Sequence, residues 1–184
     1  MIEVLDNYCD EEYFKKLKDI MVMPCPSFPW FYHNAVNGKG YDEDQEAYQF
    51  VHTFYPNISS QVSNDNVSEL TIVPDPLMDV INPIVDSMGP LTLLRVKANC
   101  TPRTEKIIEH GLHVDFSEKR NDLLTTAIFY MNTNNGYTYF EDGTRVKSVE
   151  NRLVVFPCNL LHGGTTCTDQ NIRVVINFNF MKKH

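Results

Sequence analysis

Paired cysteines are missing from this 184-residue chain: its five (Cys9, Cys25, Cys100, Cys158, Cys167) are odd in number and none has CxxC spacing. That argues against both a disulfide framework and a zinc ribbon. Positive charge is scarce too, with 16 Lys+Arg against 24 Asp+Glu and a formal net charge of −8. Such a balance works against a strong non-specific grip on nucleic acid or on an anionic membrane, and it leaves room only for a local basic groove. No apolar run is long enough to span a bilayer, and Met1-Ile2-Glu3-Val4-Leu5-Asp6 lacks the basic start and apolar stretch of a signal peptide. A soluble, cytoplasmic protein is therefore expected. There is no glycine-rich phosphate loop and no GxSxG nucleophile elbow; Gly38 and Gly40 read as a turn. What remains is ordinary for a globular protein: 42% apolar and 22% charged residues, with no repeat or low-complexity tract. The length predicts one domain over 1–184, with helical support and a variable segment over 1–90 and a strand-rich core over 91–181.

The pattern changes near the middle of the chain. Asp10 precedes a stretch in which Tyr13/Phe14, Leu17 and Ile20/Met21 recur at helical spacing, with acidic residues early and lysines later. Pro24 and Pro26 should stop that helix. Residues 28–33 are aromatic and extended, and 48–55 reads as a strand. A second helix is expected over about 75–88, ended by Gly89-Pro90. From 91 onward the period is two, and 91–100, 123–132, 136–140, 144–149, 152–156 and 172–180 read as strands. Glu141-Asp142-Gly143 marks a hairpin. In the last strand Val174, Ile176, Phe178 and Phe180 form an apolar face, while Arg173, Val175, Asn177 and Asn179 suit the wall of a polar cavity. The expected fold is α+β, mainly β: an antiparallel barrel or sandwich with N-terminal helical cover.

Two of the six histidines stand out. His113-Val114-Asp115 lies in an extended stretch, where residues two apart share a side. His162 follows after the strand 152–156 and opens a turn, His162-Gly163-Gly164. Two histidines and a carboxylate on a β scaffold are the ligand set of a facial triad, which binds Fe(II) and leaves positions open for substrate. Arg173 starts the next strand on its polar face, where a guanidinium suits the far carboxylate of a metal-bound diacid. Each residue alone has a plainer reading as a hydrogen-bonded pair, a turn cap or a surface charge. Their conjunction carries the weight. His110 stands three residues before His113 and is off its face in a straight strand; it reads as a neighbour of the site or a surface residue, and as the alternative ligand if the segment is bent. His33, His52, His184, Trp30 and Arg120 read as structural or exposed.

The segment from about 93 to 180 resembles the Fe(II)/2-oxoglutarate-dependent dioxygenases, in particular their prolyl 4-hydroxylase-like branch. The residues that carry the resemblance are His113-x-Asp115, His162 and Arg173. Supporting stretches are Ile128-Phe129-Tyr130-Met131-Asn132, Asn135-Gly136-Tyr137-Thr138-Tyr139-Phe140 and Arg152-Leu153-Val154-Val155-Phe156. In the second of these, Asn135 stands where the family has a first glycine. The resemblance implies a double-stranded β-helix, or jelly roll, with N-terminal supporting helices and the metal at one open end. It implies Fe(II) on His113, Asp115 and His162, 2-oxoglutarate as cosubstrate with its 5-carboxylate on Arg173, and O2 as oxidant. Tyr130 matches a position that hydrogen-bonds the cosubstrate, and Asn99 and Asn177 are further polar candidates near it. The implied activity is hydroxylation of an unactivated C–H bond; the carboxylate ligand, which related halogenases lack, favours that outcome. A prolyl residue of a peptide or protein is the substrate this branch suggests. A free amino acid or other small molecule is the alternative, as is a non-catalytic metal-binding jelly-roll module. A zinc hydrolase on the same ligands would leave Arg173 without a role.

Overall fold

A computed structural model describes residues 1–23, 28–34, 36, 48–56, 74–116 and 123–182. The first helix, α1 (Glu11–Met21), begins where the sequence places it. The Asp10 carboxylate accepts hydrogen bonds from the backbone N–H groups of Glu12 (3.0 Å) and Tyr13 (3.1 Å), satisfying two donors that a helix start leaves open. Its buried residues are Phe14, Leu17 and Met21, one stripe at helical spacing. The second, α2 (Met78–Met88), starts three residues later than its period suggests, because the Asp75 side chain accepts from the Leu77 N–H (2.7 Å) and shapes a turn first. It ends at Gly89, whose φ of 56° is the left-handed conformation that closes helices. Pro24, Pro26, the Gly38/Gly40 turn, Arg120 and His184 lie outside the described residues.

Ten strands lie among the described residues: β1 (Glu3–Leu5), β2 (Phe31–His33), β3 (Gln49–Tyr55), β4 (Pro90–Pro102), β5 (Leu124–Tyr130), β6 (Tyr137–Phe140), β7 (Arg145–Lys147), β8 (Arg152–Pro157), β9 (His162–Gly164) and β10 (Ile172–Lys182). Seven form one antiparallel sheet, ordered β1-β8-β5-β10-β4-β3-β2, and three form a smaller one, β7-β6-β9. The expected hairpin joins β6 to β7, with Asp142 accepting from the Thr144 N–H at 2.9 Å. Every strand expected after residue 90 is present. The N-terminal half adds more than helices, since β1, β2 and β3 all extend the large sheet.

Both faces of the large sheet's central strands are buried. On one, Val174, Ile176, Phe178 and Phe180 of β10 and Phe129 of β5 pack against Phe14 and Leu17 of α1 and Ile81 and Ile84 of α2. Phe14 meets Phe129 edge-on, with ring centroids 5.9 Å apart. On the other face, Ile128 and Tyr130 of β5, Val154 and Phe156 of β8 and Val175 of β10 meet Phe140 of β6 and Val146 of β7. Two sheets thus enclose a second apolar layer, as in a jelly roll.

Two strands depart from expectation. β1 is three residues long, too short for a period to show. His162-Gly163-Gly164, read as a turn, is strand β9: it pairs with β6 at Phe140↔His162, Tyr139↔Gly163 and Thr138↔Gly164. Glycine is a poor strand former, but here it is required. A Cβ on Gly163 would lie 2.7 Å from the His110 carbonyl oxygen and 2.7 Å from the Tyr139 ring.

Replacing the exposed cap Asp10 with Ala is expected to lower stability by about 1 kcal/mol. A shifted urea midpoint with an unchanged slope would show it; an unmoved midpoint would remove the cap from the account.

Candidate metal centre

The two histidines are brought together by backbone. The His113 N–H donates to the His162 carbonyl (2.9 Å) and the His162 N–H to the His113 carbonyl (3.0 Å), so the imidazole centroids sit 4.5 Å apart. Asp115, two residues beyond His113, turns its carboxylate to the same point. His113 Nε2 lies 4.0 Å from Asp115 Oδ1 and His162 Nε2 lies 3.8 Å from Asp115 Oδ2. One donor atom from each of the three residues falls within 4.8 Å of the others. The side chains of Asp115 and His162 are 2% and 3% exposed and that of His113 is 27% exposed, so the cluster opens on one side only.

Protonation suits cation binding. Burial raises the Asp115 pKa, but Arg95, His162 and hydrogen bonds from Thr126 and Asn179 more than offset this and hold the carboxyl at about 2. Burial and the facing His162 push His113 down to about 4, against the opposing pull of Asp115, leaving a neutral imidazole near neutral pH. His162 Nδ1 is 2.9 Å from the Leu160 carbonyl oxygen, which can only accept. Nδ1 therefore carries a ring proton, and Nε2 is the atom turned toward Asp115. Two imidazoles and an ionised carboxylate form a donor set that fits a divalent transition metal.

The carboxylate is fixed by side chains from the inward faces of three neighbouring strands. Thr126 Oγ1 on β5 (2.7 Å) and Asn179 Nδ2 on β10 (2.9 Å) donate to Oδ2, and Arg95 Nη2 on β4 (2.8 Å) donates to Oδ1. Arg95 Nε in turn donates to Asn179 Oδ1 at 2.8 Å, closing the network. Arg95 was not among the sequence candidates. The alternation that exposed the polar face of β10 also places Arg95, Lys97, Asn99 and Thr101 on one face of β4, and that was the signal to find it.

Arg173 lies deeper in the same cavity, whose volume is about 410 Å³. Although 4% exposed, it pairs with no carboxylate among the described residues. Its guanidinium donates to Ser148 Oγ (2.9 Å) and Thr138 Oγ1 (3.3 Å) and stacks over the Tyr130 ring at 5.6 Å. Burial lowers its pKa. An unneutralised buried cation is costly, and an incoming carboxylate would relieve that cost.

The remaining sequence candidates divide. Asn99 and Asn177 line the cavity beside His113, Asp115, His162 and Arg173. Tyr130 does not: it is fully buried, and its hydroxyl donates to Thr138 Oγ1 at 2.7 Å. His110 lines the cavity rather than the outer surface. Burial, then Arg173 and His113, lower its pKa to about 4.

His110 and His113 together predict an acid-sensitive metal-free protein. Both are depressed on folding, so the unfolded chain binds more protons between about pH 6.5 and 4. Stability should be full above that window and fall as pH drops through it, by at most about 1.4 kcal/mol per pH unit for each imidazole. Urea unfolding at several pH values would check this, and a flat profile would refute the assignment.

No family model matches the chain, and no curated protein matches it in sequence. Solved structures do. An oxidoreductase of the 2OG-Fe(II) oxygenase family from Burkholderia pseudomallei superposes with a TM-score of 0.66 at 13% identity, over 97% of this chain and 84% of that one. A Trichoplax adhaerens prolyl hydroxylase, in complex with a hypoxia inducible factor oxygen degradation domain peptide fragment, gives 0.60 at 10% identity, over 98% and 83%. A viral collagen prolyl hydroxylase from Paramecium Bursaria Chlorella virus-1, solved as a 2OG complex, gives 0.54 at 12% identity, over 99% and 96%. The chain has the jelly-roll fold of the 2OG-Fe(II) oxygenases, a group in which prolyl hydroxylases are among its structural neighbours.

Proposed function

We propose that this protein is a dioxygenase dependent on Fe(II) and 2-oxoglutarate, with His113, Asp115 and His162 as the metal ligands and Arg173 as the anchor of the cosubstrate. The observation that carries the proposal is one cavity holding both a three-donor cluster open on one side and a buried guanidinium with no acidic partner among the described residues. Bound there, Fe(II) with 2-oxoglutarate and O2 supplies the oxidising power that hydroxylates an unactivated C–H bond, with succinate and carbon dioxide as co-products.

The chain's own part is placement and electrostatics. Asp115 presents an anion to the metal, and Thr126, Asn179 and Arg95 keep that carboxylate from rotating. The Leu160 carbonyl sets the His162 tautomer. Thr138, held by Tyr130, and Ser148 aim the Arg173 fork into the cavity, where a bidentate contact with the 5-carboxylate fits its geometry. Tyr130 thus acts on the cosubstrate through Thr138 and Arg173. Asn99 and Asn177 complete the polar wall. The chain serves as one such domain, in which α1, α2, β1, β2 and β3 support the strands that carry the site. A peptide or protein substrate, with a prolyl residue as target, is supported by the prolyl hydroxylases among the neighbours, one of them holding a peptide fragment.

His113→Ala or Asp115→Ala should abolish Fe(II)-dependent conversion of 2-oxoglutarate to succinate, and turnover at the wild-type rate in either variant would refute the metal assignment. Arg173→Ala should raise the 2-oxoglutarate concentration needed for half-maximal turnover roughly 10- to 100-fold, the effect of removing one charged hydrogen-bonding partner from a buried carboxylate. An unchanged requirement would take Arg173 out of the site.

A further inference from the structure

One cation in the cavity has no assignment. Arg95, Lys97 and Asn99 follow one another at two-residue spacing along the inward face of β4. Arg95 is committed to Asp115 and Asn179. Lys97 is half-buried, its Cα opposite those of Asn177 on β10 and Thr53 on β3, and it forms no hydrogen bond or ion pair among the described residues. Burial and then the nearby Arg95 lower its pKa, so its surroundings disfavour the charge.

The charge balance of the cavity points the same way. Among the described residues lining it, Arg95, Lys97 and Arg173 are cationic and Asp115 alone is anionic. On the function proposed above, on which this inference rests, the metal and the dianionic cosubstrate cancel each other. Two positive charges then remain, in a chain whose formal net charge is −8. Beside Lys97, the side-chain carbonyl oxygen of Asn177 is buried with no hydrogen-bond donor. A buried acceptor of this kind needs a partner. An occupant bringing an anion and an N–H group satisfies both residues together.

We propose that the primary substrate bears a carboxylate received by Lys97, with an N–H donor on the same molecule reaching Asn177 Oδ1. The class is an amino-acid carboxylate, either that of a free amino acid or that of an acidic side chain in a peptide.

Calorimetric titration of the protein loaded with Mn(II) and 2-oxoglutarate tests this. One arm compares the common L-amino acids with their carboxamides. The other compares end-blocked tripeptides with a central glutamate or glutamine. The expected result is a carboxylate probe in one arm that binds about tenfold or more tightly than its neutral counterpart. Lys97→Met should remove that preference and Lys97→Arg should keep it, with Lys97→Gln replacing the methionine variant if that fails to fold. Equal binding of acid and amide, a preference that survives loss of the lysine, or no binding by any carboxylate probe would overturn the proposal. So would an effect of Lys97→Met on 2-oxoglutarate affinity in place of probe affinity. Mn(II) binding that Asp115→Ala abolishes is read separately. If it is absent, the metal reading fails, and the same probes on the unloaded protein still decide the role of Lys97.

Discussion

A sheet whose strands have both faces buried must solve two packing problems with one alternating sequence. In β4, β5 and β10 the odd and even positions are given to different environments. One set is apolar and lies under the two helices; the other is polar, or mixed, and lines the space between the sheets. The helix-side layer supplies most of the buried apolar area and so most of the driving force for folding. That leaves the inward face free to carry groups that would be unfavourable in a core, including Arg95, Lys97 and Arg173. The polar cavity is stable because the layer behind it is not polar.

The electrostatics of the cavity follow from how each charge is met. Asp115 is surrounded by donors and keeps its charge despite near-complete burial. The imidazole of His113 is surrounded by low-dielectric material and another ring, and it loses its proton more readily than in water. Both effects favour the same cation-binding form. Arg173 differs, because its neighbours are hydroxyls and an aromatic face rather than an acid. Its desolvation is only partly offset, which makes it the place where an anion gains most on arrival.

Much of this could be read from the chain, for reasons particular residues make clear. α1 was legible because its cap, dipole charges and apolar stripe all agree. β10 was legible because Val174, Ile176, Phe178 and Phe180 alternate with Arg173, Asn177 and Asn179. His113 and Asp115 were paired by their spacing, and the cluster they form with His162 is present in the fold. Three things escaped. β1 is too short to show a period, and β9 consists of a histidine and two glycines whose strand conformation is imposed by β6 and by close approach to His110 and Tyr139. Arg95, which touches the carboxylate, is 20 residues away in sequence; alternation along β4 marks its face but not its partner. Tyr130, which the resemblance reads as a cosubstrate contact, gives its hydroxyl to Thr138 in place of the cavity, a choice that only three-dimensional packing decides.

The reciprocal backbone bonds between His113 and His162 also make assembly of the site a matter of register. A one-residue slip of β9 against β6 would keep the small sheet paired and its backbone satisfied, yet it would bring Gly163 to the place opposite Phe140 and turn the imidazole away from Asp115. Such a chain would have nearly native secondary structure and an incomplete ligand set. The crowding that denies Gly163 even a methyl group bars the opposite slip, which would set His162 against the Tyr139 ring, so the pair of glycines leaves one direction of misalignment guarded and the other open.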